Sequence, residues 1–275
     1  MKSRTKVAVI GGGIAGLCTA AYALRCGYRV ELVEKHDTPG GLATSWHRDG
    51  YTFENCIDWL LGSRPGSGIH AHWREVFDID ALTFVERTVL ARIESEQGDG
   101  LTLWTDLDRL EQELLEKAPG DADEIRRFVA DARELADLEM PDPSDSWHRY
   151  LWTLLTSLPH LPVLRRWSAV TCGEVGERFD HPLLRGYFGG GEMAHLSAMA
   201  LIFSLAWMSK GDGEYPVGGS QAIIGPIVDR LRKGGARLRL GAEVAEILVE
   251  DDAAVGVRLA DGETIAADRV ISAGD

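Results

Sequence analysis

Hydrophobic and polar positions along the first thirty-five residues switch between two periods. Val7–Ile10 is a continuous apolar run, as in a strand covered on both faces. Leu17, Ala20, Ala21 and Leu24 then recur at helical spacing, Gly27 closes that helix, and 29–34 reads as a second strand. Strand, helix and strand in so short a span predict a βαβ unit with parallel strands. Farther on, 82–95 and 101–104 alternate as strands of a small sheet. Asp106 is placed to cap a helix in which Leu107, Leu110, Leu114 and Leu115 share one face. A second amphipathic helix over 121–140 carries Ile125, Val129, Ala132 and Leu135 in its stripe. The apolar run 193–208 predicts a buried helix, because a bilayer span needs roughly 18–20 such residues. Near the end, Ile223, Ile224, Ile227, Val228 and Leu231 stripe a helix with Ser220 as its N-cap. Gly225–Pro226 should bend that helix, and Gly234–Gly235 should end it. Strands are expected at 236–240, 243–250, 254–260 and 263–272, with turns at Asp251–Asp252 and Asp261–Gly262.

Two glycine clusters lie on the βαβ unit. Gly11, Gly13 and Gly16 form G-x-G-x-x-G between the first strand and its helix. The first permits a tight turn, the second lets the backbone approach a pyrophosphate, and the third lets helix and strand pack closely. Glu34 ends the second strand eighteen residues after Gly16, where a carboxylate accepts hydrogen bonds from ribose hydroxyls. The head of the helix, including Ile14 and Ala15, is the phosphate site. A dinucleotide is therefore expected. The second cluster, Gly40–Gly41 within "KHDTPGGLATSW", follows at once. Its amides, with Thr44 and Ser45, supply a second backbone cradle farther along an extended ligand. FAD is longer than NAD beyond the pyrophosphate, so the pair of cradles favours FAD.

These residues resemble the start of the flavin amine oxidase superfamily, and more narrowly its phytoene desaturase, carotenoid isomerase and retinol saturase branch. "GYTFENCIDWLLGSRPGSG" (50–68), "YPVGGS" (215–220) and "GVRLADGETIAADRVISAGD" (256–275) resemble later landmarks of that branch, in order. The resemblance is close over 6–68 and 213–275 and loose between. It implies an α/β fold: a Rossmann-like three-layer FAD-binding domain interrupted by a mixed helical and sheet substrate domain. The boundaries expected are 1–72 with 211–275 for the first, and 73–210 for the second. It further implies non-covalent FAD and an apolar substrate, an isoprenoid or other polyene, whose carbon–carbon bonds are oxidised, reduced or isomerised. The residues expected at the cofactor are Gly11, Gly13, Ile14, Ala15, Gly16, Glu34, Lys35, Gly40, Gly41, Leu42, Thr44, Ser45 and, by resemblance, Val244 at the adenine. The "PVGG" turn (216–219) is either close to the flavin ring or simply a turn before a helix. Leu42 stands where many amine oxidases have Arg, Glu54 where Asp is common, Cys56 where Gly is common, and Asp58 where saturase-like members show His. No acid or base is singled out beyond Asp58, a weak candidate that also reads as a surface carboxylate. Relatives of this kind continue past a position equivalent to Asp275, so a missing C-terminal half is expected. Two other readings fit the same residues: an amine or porphyrinogen oxidase, and a non-catalytic dinucleotide-binding fragment completed by a partner chain.

Composition narrows this. A formal charge of -14 opposes nucleic-acid binding. The stretch Asp106–Asp145 carries fourteen acids against five bases and reads as solvated helix faces. Four scattered cysteines, Cys18, Cys26, Cys56 and Cys172, form no C-x-x-C, which favours reduced thiols and a cytoplasmic protein, with no metal site. Lys2, Arg4 and Lys6 before an apolar run, with "AYA" at 21–23, mimic an export signal, but such a signal needs no glycines at fixed spacing. The segment 146–167 differs from its acidic surroundings. Trp147, Leu151, Leu154, Leu155 and Leu158 form a stripe flanked by Trp152, Trp167, Arg149, Arg165 and Arg166, and Pro159 and Pro162 interrupt it. It is either a core or substrate-lining helix, or a patch for peripheral membrane contact. "GYFGGGEMAH" (186–195) is expected to be a loop, with His195 a satisfied core histidine.

Overall fold

The computed structural model describes residues 5–95, 98–142 and 144–274, the side chains of 192 and 193 apart. The chain divides into two compact units, one of Met1–Val85 with Tyr215–Asp275, the other of Glu86–Glu214. The cut expected after residue 72 falls inside a helix, α2 (Gly68–Val76), whose Val76 and neighbouring Phe77 are buried in the core of the first unit.

The first unit begins with β1 (Lys6–Ile10), α1 (Ile14–Arg25) and β2 (Arg29–Val33). A hairpin follows, β3 (Ser45–Arg48) and β4 (Tyr51–Glu54), then α2 and the short β5 (Phe84–Val85). The second unit contains β6 (Val89–Glu94), β7 (Gly100–Trp104), α3 (Leu107–Lys117), α4 (Ala122–Ala136), α5 (Trp147–Ser157), α6 (Leu161–Ser168), α7 (Cys172–Gly176), α8 (Pro182–Gly189) and α9 (Ala198–Met208). The chain returns through β8 (Tyr215–Pro216), α10 (Gly219–Lys233), β9 (Arg237–Arg239), β10 (Val244–Glu250), β11 (Ala253–Leu259), β12 (Thr264–Ala266) and β13 (Arg269–Ser272).

Four parallel strands in the order β13-β1-β2-β9 form the central sheet. Strand periodicity sends alternate side chains to opposite faces. Val7, Val9, Val30 and Leu32 point to a core shared with Leu17, Ala20 and Ala21 of α1 and Ile223, Ile227 and Leu231 of α10. Ile10, Val33 and Val270 point the other way, onto Val257, Leu259 and Ile265 of the antiparallel sheet β10-β11-β12. The unit is thus three layers: helices, parallel sheet, antiparallel sheet. Asp251 and Asp252, both at positive φ, close the β10–β11 hairpin in the twist-matched conformation two-residue turns require. The strand expected over 263–272 is two strands, because the chain changes sheets at Ala267–Asp268. β12 pairs with β11, whereas β13 pairs with β1, and Asp268 exchanges hydrogen bonds with Lys6 at the crossing.

The second unit has its own core. Ile125, Phe128, Val129, Ala132 and Leu135 of α4 pack with Leu110 and Leu114 of α3, Trp167 of α6 and Ile202, Leu205 and Ala206 of α9. Asp106 caps α3 by accepting from the amides of Asp108 and Arg109. Two expectations differ, and an open alternative over α5 narrows. The loop expected over 186–195 is α8 as far as Gly189, begun by Pro182 in its first turn, where a missing amide costs nothing. Its Gly189 serves contact, since a Cβ on Gly176 of α7 would lie 2.5 Å from Gly189 Cα. His195 is exposed, so it is not a core histidine. In α5 only Thr153 and Ser157 are buried, and Trp147 and Trp152 are 67% and 68% exposed. The α5 stripe is therefore not core, whereas α9, the other apolar helix, is buried along most of its length.

Candidate functional site

The site begins where β1 gives way to α1. Gly11, at φ +97, makes the turn, and a Cβ there would lie 3.0 Å from the Ala273 carbonyl. Gly16 sits against it so closely that a Cβ would lie 2.0 Å from Gly11 O. These two glycines are needed by the fold. Gly13 is different: it is the N-cap of α1, and a Cβ on it would meet nothing nearer than 3.9 Å. A glycine cap offers no side-chain acceptor, and the first turn holds no acid. The amides of Ile14, Ala15 and Gly16 at the positive end of the helix therefore take no acceptor from the cap residue.

The second glycine cluster folds directly onto the first. Gly40 donates its amide to Gly12 O at 2.8 Å, and Gly13 and Gly40 form a parallel bridge. A Cβ on Gly41, at φ +60, would lie 3.1 Å from Gly13 Cα. Residues 11–13 and 40–41 are consequently one backbone surface, bare of side chains. The extra glycine pair exists because two turns meet there. Glu34 lies beside them, 6% exposed, with one carboxylate oxygen accepting from Gly12 N at 2.5 Å and the other from His36 N at 2.8 Å. Gly241 and Ala242 donate to His36 O and Glu34 O, which brings Val244, at the start of edge strand β10, alongside Glu34. Thr44 and Ser45 are half-buried where the second turn enters β3, whereas Lys35 and Leu42 are exposed, Leu42 by 74%. Asp58 is also exposed.

A third glycine turn, Gly218–Gly219, opens α10. Gly218 is the N-cap at φ +94, so Ser220 is not the cap expected from the sequence. Ser220 is fully buried instead, its amide and hydroxyl both donating to Glu54 Oε2, at 3.0 and 2.5 Å. The sequence reading missed this pair, whose members stand 166 positions apart. The signal that could have found the hairpin presenting Glu54 is Asp49–Gly50, both at positive φ between β3 and β4.

Comparison with known proteins agrees with this geometry. The family model for flavin containing amine oxidoreductase matches residues 14–275. A phytoene desaturase (neurosporene-forming) of Rhodobacter capsulatus is 29% identical over 98% of this chain and 52% of its own length. Prolycopene isomerase 1, chloroplastic, of an Oncidium hybrid cultivar is 25% identical over 96% of this chain and 47% of its own. The chain spans about half the length of the curated relatives it matches. Among solved structures, putrescine oxidase bound to putrescine superposes with a TM-score of 0.62 at 21% identity, over 98% of this chain and 58% of that one, which bears on the fold alone. Sequence, three-layer fold and family match converge: the chain belongs to the flavin containing amine oxidoreductase family.

Proposed function

We propose that the first unit holds FAD and that the protein is an oxidoreductase acting on the carbon–carbon bonds of an isoprenoid or other apolar polyene. The observation that carries the cofactor reading is the merger of Gly11–Gly13 with Gly40–Gly41 into one side-chain-free surface at the uncapped head of α1. The residues present fit the group. The amides of Ile14, Ala15 and Gly16 would hold the pyrophosphate, with Gly11 and Gly13 giving it room. Glu34, already oriented by two amides, would accept from ribose hydroxyls with its remaining lone pairs, and Lys35 flanks it. Gly40, Gly41, Leu42, Thr44 and Ser45 would follow the ligand toward its ring, and the backbone of Val244 would meet adenine. Leu42 brings no charge there, so binding on that side rests on backbone amides. When bound, the flavin supplies hydride chemistry; the chain's own part is to bind, orient and keep water from the ring.

The substrate reading is supported by relatives named for phytoene desaturation and prolycopene isomerisation, at 25–29% identity. Turnover of phytoene or a related polyene by the full-length natural protein tests it, with oxygen uptake on amines as the opposing result.

The exposed face of α5 and its continuation belongs to the same reading. Trp147, Leu151, Trp152, Leu155, Leu158 and Leu161 are all exposed, and a polyene insoluble in water has to be collected from a lipid phase. Arg149 pairs with Asp145, and Arg166 turns inward to Asp131 at 2.6 Å. Lipid contact would therefore be driven by apolar area more than by charge. Vesicle flotation tests this: no binding to anionic liposomes at low salt ends the membrane reading.

A further inference from the structure

We infer that the dipeptide Glu54–Asn55 is a positioning element that locks the second and third glycine turns of the first unit together, and so places the flavin end of the cofactor; this rests on the FAD reading above. The two side chains act in opposite directions from the end of β4. Asn55 reaches back to the second turn: its amide donates to Thr44 O and its side-chain Nδ2 to Leu42 O, both at 3.2 Å. Glu54 reaches forward to the third: its Oε2 takes both donors of Ser220, in the first turn of α10. A carboxylate there also opposes the positive end of a fifteen-residue helix whose cap, Gly218, has no side chain to offer. The second turn is in turn bonded to the first through Gly40 and Gly12. The three turns are thereby one hydrogen-bonded series, and Glu54–Asn55 is its middle link.

Two details show that the fit at Glu54 is specific. Oε1 of Glu54 lies where a side chain of residue 219 would have to be, 2.1 Å from a Cβ built on Gly219. That position is also at φ +57, a backbone conformation that favours glycine. The same Oε1 is buried with no hydrogen-bond partner among the described residues. A buried acceptor left in that state costs free energy and persists where the surroundings over-determine it. The carboxylate is thus held by its Oε2 bonds and by the shape of the turn.

The test uses the full-length natural protein with FAD as the probe, and compares Glu54→Gln, Glu54→Asp and Ser220→Ala with the unaltered chain. Glu54→Gln keeps the volume and loses the charge; it is expected to weaken FAD binding by roughly ten- to a hundredfold, the scale of a charge-assisted buried bond. The visible circular dichroism of the flavin that still binds is expected to change. Glu54→Asp, which keeps a charge at the head of α10, should recover most of the affinity, and Ser220→Ala should lose less than Glu54→Gln. Hydrogen exchange of the apoprotein gives a readout independent of flavin: Glu54→Gln should speed exchange jointly at 40–45 and 217–221. Unchanged affinity and spectrum in Glu54→Gln, or faster exchange at 217–221 alone, would overturn the inference. Failure of the unaltered protein to take up FAD would instead sink the functional reading, and the exchange result would still decide whether the turns are locked.

Discussion

Gly13 and Gly16 stand three positions apart in one motif, yet a methyl group has opposite consequences at each. At Gly16 it would collide with Gly11 O at 2.0 Å. Gly16→Ala should therefore destabilise the unit by about 3 kcal/mol, read as a lower melting temperature. At Gly13 it would make only an ordinary contact, 3.9 Å from Gly41 Cα, so Gly13→Ala should leave the apoprotein within about 1 kcal/mol of the natural chain. Glu31 shows how a single buried charge is kept. Burial pushes its carboxyl pKa up, but hydrogen bonds from Lys6 and Arg239 outweigh burial and hold it below the ordinary value of 4.5. A folded-state value below the unfolded one contributes stability that is fully present above pH 4.5 and lost as pH falls through the folded value. Glu31→Gln should cost roughly 2–3 kcal/mol at neutral pH by removing the buried charge that faces Lys6, Arg237 and Arg239, of which Arg239 keeps Glu263. The gap between variant and natural protein should close as the melts are taken below pH 4.5. Gly11 and Gly16 were legible from spacing alone as turn and packing glycines, because those tasks are local to one βαβ unit. Glu54 was visible only as an unusual residue, since its partner lies 166 positions away and no period in the chain connects them.

Among the elements, the helices divide by what their apolar faces meet. α4 was legible because a stripe at helical spacing is most often core, and α9 because an apolar run too short for a bilayer predicts a buried helix; both are buried. α5 carries as clear a stripe and leaves it exposed, so periodicity identified the helix but not the fate of its face. Trp152→Gln should therefore leave the melting temperature almost unchanged, within about 0.5 kcal/mol, while lowering recovery with vesicles. A fall in stability instead would mean that the face is covered within the protein. α8 is the converse case. Its glycines read as a loop because glycine disfavours helix, yet they let α7 and α8 approach to backbone contact at Gly176 and Gly189. Gly176→Ala should cost about 3 kcal/mol or more by forcing those helices apart. The split of 263–272 into β12 and β13 was illegible for a related reason. Both halves have strand composition, and only the two sheets they join show where one must stop.

At the scale of the whole molecule, the chain is two units with separate cores, and the first is assembled from both ends of the sequence. The α/β class was readable in advance because a glycine fingerprint between a strand and a helix is a strong local signal. The family match over 14–275 agrees with it. Substrate class rests on relatives that are about twice as long as this chain. The central claim, that two glycine turns merge into one cradle for FAD, is tested most directly by titrating FAD into the full-length natural protein and into its Gly13→Ala variant, following flavin fluorescence. Saturable uptake by the natural protein is expected, with affinity lower by about a hundredfold or more in the variant, whose fold is retained. Equal uptake by the two, or none by the natural protein, would contradict it.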